Sequence, residues 1–159
     1  MTKCEQACIR PFCPADLASV LELIHNTIDQ SYAAFYPPRA RQFFKEFHSE
    51  QTILSRHRDG EILVLEKDGK IVGTGALLRT EILGVFIHCD FQHCGYGRLI
   101  MQALEQKARM KGMCEIELSV SLPSRNFYEN LGYEITEDAS VDVGEGQHLA
   151  YWQARKALA

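Results

Sequence analysis

The densest chemical signal in this 159-residue chain is the segment Gln92-His93-Cys94-Gly95-Tyr96-Gly97-Arg98. Two glycines one residue apart, between an apolar run and a helical pattern, let the main chain come close to a ligand. The first amides of the following helix have no intrahelical acceptor, and together with the helix dipole they face an anion. The chemistry that fits is phosphate or pyrophosphate binding. A P-loop would end in Gly-Lys-Ser/Thr, which is absent. A Rossmann fingerprint needs Gly-x-Gly-x-x-Gly in an N-terminal unit, whereas Gly95-x-Gly97 is followed by Ile100 and lies past mid-chain. A lone Gly-x-Gly is also compatible with a plain tight turn, so the context carries the weight.

A second group of reactive side chains overlaps the first. His88-Cys89 and His93-Cys94 put four potential metal ligands within seven residues, and Cys4, Cys8 and Cys13 supply more. Structural zinc sites pair two short clusters of the Cys-x2-4-Cys kind, and neither cluster here has that internal spacing. The sequence therefore predicts no metal. The even count of six cysteines would allow disulfides. Met1 to Gln6 shows no apolar signal segment, so reduced thiols in the cytoplasm are the expectation. Cys89 and Cys114 read as small buried hydrophobes.

The elements that position the glycine segment follow from periodicity. Cys8-Ile9-Arg10-Pro11 reads as a short strand. Pro14 and Asp16 suit a helix start, and Leu17, Val20, Leu21, Ile24 and Ile28 recur at helical spacing. Pro37-Pro38 breaks that helix and starts another, on which Phe43, Phe44 and Phe47 form an apolar stripe expected in the core. Glu61 to Glu66 and Ile71 to Leu78 read as a hairpin around Asp68-Gly69. Glu81 to His88 is a third strand, with Gly84 marking a bulge or a close approach. A helix from about Tyr96 to Lys111, a strand from Cys114 to Val120 and a short helix from Ser124 to Asn130 come next, the last stopped by Gly132. Tyr133 to Ile135 and His148 to Gln153 pair around Gly144-Glu145-Gly146. The order predicts a mixed α/β sheet in a single domain spanning 1–159.

Composition excludes other classes. Hydrophobic residues make up 46% and charged residues 24%, ordinary globular values. No apolar run approaches the ~20 residues of a membrane helix. A net charge of −4 disfavours unselective nucleic-acid binding.

Gln92-x-x-Gly95-x-Gly97, after a strand and opening a helix, resembles the acetyl-CoA motif of the GNAT superfamily of N-acetyltransferases. The resemblance covers nearly the whole chain. Ile9-Arg10-Pro11 resembles the family's opening strand, and Lys70-Ile71-Val72-Gly73 its third strand. Phe127-Tyr128-Glu129-Asn130-Leu131-Gly132-Tyr133 is similar to its Phe-Tyr-Glu-x-x-Gly-Phe segment, and Tyr151 to Leu158 to its last strand. It implies a mixed central sheet of about seven strands flanked by about four helices. There are departures: His93 and Cys94 replace a common Gly and Lys/Arg, Cys89 a common Pro, and Ser121 a frequent Asn. Arg98 is placed to restore the lost cation.

The resemblance also implies roles. Val85, Phe86 and Ile87 would pair their main chain with the pantetheine arm, and the Val85 amide would face the thioester carbonyl. Gln92, His93, Cys94, Gly95, Tyr96, Gly97 and Arg98 would hold the pyrophosphate, with Asn126 touching CoA. Tyr128 would protonate the departing thiolate. Glu81, fourteen positions before Gly95, resembles the general base of the histone-acetylating branch, with His88 as the next candidate. Arg125 reads more simply as solvent-facing. The co-substrate implied is acetyl-CoA. The acceptor implied is a primary amine on a small molecule or peptide, attacking directly in a ternary complex. A non-catalytic CoA-binding sensor or interaction module is the alternative, and a homodimer is left open. The acceptor site would lie between Ser31–Pro38, with Tyr32, Phe35 and Tyr36, and the stretch Glu137 to His148. The acidic Glu137, Asp138, Asp142 and Glu145 there would favour a cation.

Overall fold

The computed structural model describes residues 7–158. The first strand, β1 (Cys8–Pro11), leads through a 3-10 turn at Pro14–Asp16 into α1 (Leu17–Ser31). The junction is clamped by the buried Asp16 carboxylate. It accepts hydrogen bonds from the Cys13 amide at 2.9 Å and from the Arg10 guanidinium at 2.8 Å. Helix α2 (Pro38–Phe47) starts on a proline, where the missing N–H would have had no helical partner. Helix α3 (Glu50–Asp59) carries no apolar stripe, because only Ile53 and Arg56 are buried on it. Its start is legible only in the Ser49 cap, whose hydroxyl accepts the Thr52 amide at 3.2 Å.

Strands β2 (Glu61–Lys67), β3 (Lys70–Leu78) and β4 (Glu81–Ile87) form a meander. The β2–β3 turn has Asp68 and Gly69 at φ of 53° and 76°, as a tight hairpin requires. Helix α4 (Tyr96–Met110), strand β5 (Glu115–Ser121), helix α5 (Arg125–Asn130) and the long hairpin of β6 (Glu134–Gly144) and β7 (Gln147–Ala157) complete the chain. The seven strands run in the order β1-β2-β3-β4-β5-β7-β6. All neighbours are antiparallel except β4 and β5, which are parallel and share a single register pair, Glu81 with Glu117. Beyond that pair the two strands part, opening the sheet at its centre.

Alternation along β2 divides the core. Leu63 and Leu65 point into the cluster beneath α4, with Ile100, Met101 and Leu104, while Ile62 and Val64 point into the cluster beneath α1 to α3, with Val20, Ile24 and Ile28. Five α-helices among the described residues thus flank the sheet, one more than expected, the extra one being α3. None of them is long and apolar enough to cross a membrane.

Three expectations are corrected. The α2 stripe is not core: Phe43 is 37% and Phe47 47% exposed, and only Phe44 packs inward, against Tyr32 and Tyr36. Cys114 is exposed, because it precedes β5 and lies outside its inward register, and Cys89 is only half-buried. The last two strands run well beyond the expected pair, since their outward positions are polar and dilute the apolar signal. Cys4 lies outside the described residues.

Candidate active site

The part of the sheet where β4 and β5 separate is also where β4 bulges. Thr74 pairs with Phe86 and Ala76 with Leu83, so Gly84 and Val85 oppose one residue of β3. Gly84 takes φ of 63°, which a side chain would strain. Val85 has no register partner on β3 or on β5. Its main-chain groups are therefore left out of both ladders where the sheet opens, which leaves them available to an extended ligand chain.

On one side of the opening lies a cavity of about 470 Å³, lined by Val85, Phe86 and Ile87 and by the turn that follows β4. Gln92 ties this turn down by donating from Nε2 to the Ile87 carbonyl at 3.0 Å and to Ser31 Oγ at 3.4 Å. His93 and Gly95 take φ of 64° and 85°, which turns the backbone so that α4 starts with its free amides toward the cavity. Gly95 lines the cavity, and a Cβ built on it meets nothing within 4 Å, so the space over that residue is open. A Cβ on Gly97 would lie 2.9 Å from the Phe127 ring, so α5 can close over the helix start only because this residue has none. Arg98 lines the cavity and makes no ion pair among the described residues. Backbone donors, a helix N-terminus and one cation form a site for a polyanion.

On the other side lies a second cavity of about 360 Å³. Tyr32, Val85, Phe86, Ser124 and Tyr128 line both. Tyr128 is buried, and among the described residues its hydroxyl makes no hydrogen bond. Burial, with Tyr32 nearby, pushes this phenol well above the usual tyrosine range, so it stays protonated and able to donate. Glu81 lines the second cavity at the start of β4. Partial burial and the neighbouring Glu117 push its carboxyl up, while Arg56 opposes them. A neutral donor and a basic carboxylate thus face one chamber.

Among the expected residues, Val85, Phe86, Ile87, Gln92, His93, Gly95, Gly97, Arg98 and Tyr128 line the first cavity. Cys94 and Tyr96 sit in the same turn, outside the lining; Cys94 is exposed, and Tyr96 lies against Phe91. Asn126 is exposed and lies outside both cavities, and Asn130 is the lining asparagine instead. Arg125 pairs with Glu129 at 2.7 Å and stacks over Trp152. His88 turns its Nδ1 to the Asp90 amide at 3.1 Å and lies outside the lining of either cavity. His88, Cys89 and Asp90 hold their ligand atoms within 4.8 Å of one another, on a single turn without His93 and Cys94.

The expected acceptor elements contribute unevenly. Tyr32 lines both cavities and donates to Ser121 Oγ at 3.3 Å. Tyr36 is structural: its hydroxyl donates to the Ala150 carbonyl at 2.7 Å and accepts the Leu122 amide at 2.9 Å. Phe35 points outward, and Glu137, Asp138, Asp142 and Glu145 are exposed and outside the second cavity. The wall is built instead by Phe43, Phe44, Phe47 and His48. Their helical spacing was visible in sequence, but an apolar stripe facing a cavity looks the same as one facing the core.

Several known proteins are similar to this chain. The profile of the acetyltransferase (GNAT) domain family matches residues 58–135. The chain is 33% identical over 96 residues to a probable N-acetyltransferase 14 of Danio rerio, covering 54% of this chain and 34% of that protein. It spans about a third of the length of that curated relative. Among solved structures it resembles a GCN5-related N-acetyltransferase from Rhodopseudomonas palustris, with a TM-score of 0.87, 22% identity and 96% of each chain covered. It also resembles the PaiA N-acetyltransferase of Thermoplasma acidophilum solved with coenzyme A, with a TM-score of 0.78, 18% identity, and coverage of 96% of this chain and 99% of that one.

Proposed function

The chain belongs to the GNAT superfamily, and from that premise we propose that it moves an acetyl group from acetyl-CoA to a primary amine by direct attack in a ternary complex. The observation that carries the proposal is the junction of the two cavities at Val85, Ser124 and Tyr128. One cavity is built for a polyanion with an extended arm and the other for a second substrate, so the two reactants meet at these residues. The free amides of Gly95, Tyr96, Gly97 and Arg98, the Arg98 guanidinium and the turn at Gln92 and His93 suit the pyrophosphate.

Bound acetyl-CoA supplies an acetyl thioester, and the amine nitrogen displaces CoA sulfur at its carbonyl carbon. Glu81 takes the proton that the ammonium must lose before it can attack, directly or through water. The Val85 amide donates to the carbonyl oxygen as negative charge grows there. Tyr128 donates its hydroxyl hydrogen to the departing sulfur and recovers it from the second proton, which the nitrogen sheds as it becomes an amide, so CoA leaves as the thiol and the phenol is restored. Its raised pKa keeps that hydrogen on Tyr128 in the resting site, and because a free thiol titrates near ~8.5 the transfer is uphill until charge has built up on sulfur. The test is amine-dependent thiol release: purified protein with acetyl-CoA should liberate CoA thiol faster when a productive amine is added. A rate indifferent to every amine tried, with acetyl-CoA bound in calorimetry, would replace the enzyme with a CoA-binding module.

A further inference from the structure

Resting on the acetyltransferase reading, we infer that the acceptor is an arylalkyl monoamine: a single primary amino group on a flat apolar body, with no second charge. Phe43 and Phe47 stand one turn apart on α2, 37% and 47% exposed, and both line the second cavity. Large aromatic faces left in contact with water on the wall of a concave site are covered when an apolar ligand enters. Leu83 and Leu149 line the same cavity and continue its apolar surface.

The charge pattern narrows the class. Glu81 is the only carboxylate in the lining among the described residues, and no lysine or arginine joins it. One ammonium is therefore matched, beside Glu81, and the rest of the lining is uncharged, apolar at Phe43 and Phe47 and polar at the hydroxyls of Ser119, Ser121 and Ser124. A diamine or aminoglycoside would bring further cations into this lining with no second carboxylate to meet them and only the Phe43 and Phe47 faces to attract them. The acidic hairpin residues Asp138 and Asp142, which would have served such a cation, are exposed and outside the cavity.

An amino acid is excluded by the same reasoning with the sign reversed. Its carboxylate needs a cation, and the lining offers only His48, which burial and the adjacent Arg56 keep neutral, its pKa pushed down to about 3. Arg56 stands behind that ring and is already engaged. Its Nη1 lies 2.9 Å from His48 Nδ1, its Nη2 donates to the Phe47 carbonyl at 3.3 Å, and its plane lies over the Phe47 ring. A volume of about 360 Å³ lies at the small-molecule end of ligand sites.

The test compares kcat/KM for phenylethylamine, 1,4-diaminobutane, phenylalanine and a short peptide with a free N-terminus, each with saturating acetyl-CoA. Binding of each amine to the CoA-loaded protein is measured in parallel by calorimetry. Phenylethylamine should lead the others by about tenfold or more. Phe43→Ser and Phe47→Ser, both at exposed positions, should erase that lead by raising KM, while the Kd for acetyl-CoA stays put. Acetylation that favours the diamine, the amino acid or the peptide overturns the arylalkyl assignment and leaves the acetyltransferase reading intact. If no amine is acetylated, the transfer reading fails. The chamber assignment then stands only if phenylethylamine still binds and loses affinity in both serine variants, and absence of binding removes it.

Discussion

Nη1 of Arg56 lies 2.9 Å from Nδ1 of His48, both residues are almost fully buried, and no carboxylate pairs with the arginine among the described residues. Arginine can only donate, so Nδ1 accepts and the imidazole is neutral with its proton on Nε2. The pair backs the bulge in β4, since a Cβ on Gly84 would come within 3.1 Å of Nη1. Helices α2 and α3 are thereby fastened to the strand that carries Val85.

This pair predicts an acid-sensitive fold. The folded-state pKa of His48 is depressed from 6.5 to about 3, so between those values the unfolded chain binds the extra proton. Stability is full above about pH 6.5 and falls as the pH drops through that window, by up to about 1.4 kcal/mol per pH unit for one proton. His48→Gln keeps an acceptor for Arg56 and removes the titration. Urea unfolding of wild type and variant at pH 7 and pH 5 should show a smaller acid loss in the variant. Equal losses in both would mean that other groups set the acid limit.

As the proposed base, Glu81 should set the acid limb of the rate. Its carboxyl is raised, so activity should climb with pH through a midpoint above the ordinary 4.5 as the base ionises. Glu81→Gln should lower turnover at neutral pH by roughly 10²-fold and remove that limb. Glu117 is exposed, and its charge raises Glu81. Glu117→Gln should therefore shift the limb to lower pH with little loss of turnover. A pH–rate profile that neither substitution alters would assign the base to another group.

Tyr128→Phe separates chemistry from packing. The hydroxyl makes no hydrogen bond among the described residues, so stability should change by less than about 1 kcal/mol. Loss of the acid should cost turnover ~10²-fold where thiolate departure limits the rate, with the Kd for acetyl-CoA nearly constant. Poorer acyl-CoA leaving groups should suffer more. Wild-type turnover in the phenylalanine variant would make Tyr128 a packing residue and leave the transition state to the Val85 amide.

At the cradle, Gly95→Glu should abolish acetyl-CoA binding. Any side chain at φ of 85° adds backbone strain, of order 1–2 kcal/mol, and the glutamate also puts negative charge into the anion site. Gly95→Ala carries the strain without the charge and should bind at least tenfold better than the glutamate variant. Indistinguishable Kd values for the two in calorimetry would remove electrostatics from the cradle.

The glycine cradle, the Asp68-Gly69 hairpin and the Gly84 bulge were legible in sequence because each is a local backbone requirement written in residue type. Tyr128 was legible through motif order. Helix α3 was not, since its buried face consists of one isoleucine and one arginine. Nor was the wall of the second cavity, because spacing identifies the apolar face of α2 but not what lies opposite it. Asn126 and Asn130 are one turn apart on α5, and only the closure of that short helix over Gly97 decides which reaches the cavity.

Direct passage of the acetyl group from CoA to an amine at the Val85–Tyr128 junction is the proposed step on which the other roles depend. Mass spectrometry of one incubation, following acetylated amine, free CoA and intact protein together, tests it most directly. Acetylated amine and CoA should accumulate one to one while the protein mass stays unmodified. CoA release without acetylated amine, or transient acetylation of the protein (at Cys94 above all) on the path to product, would contradict it.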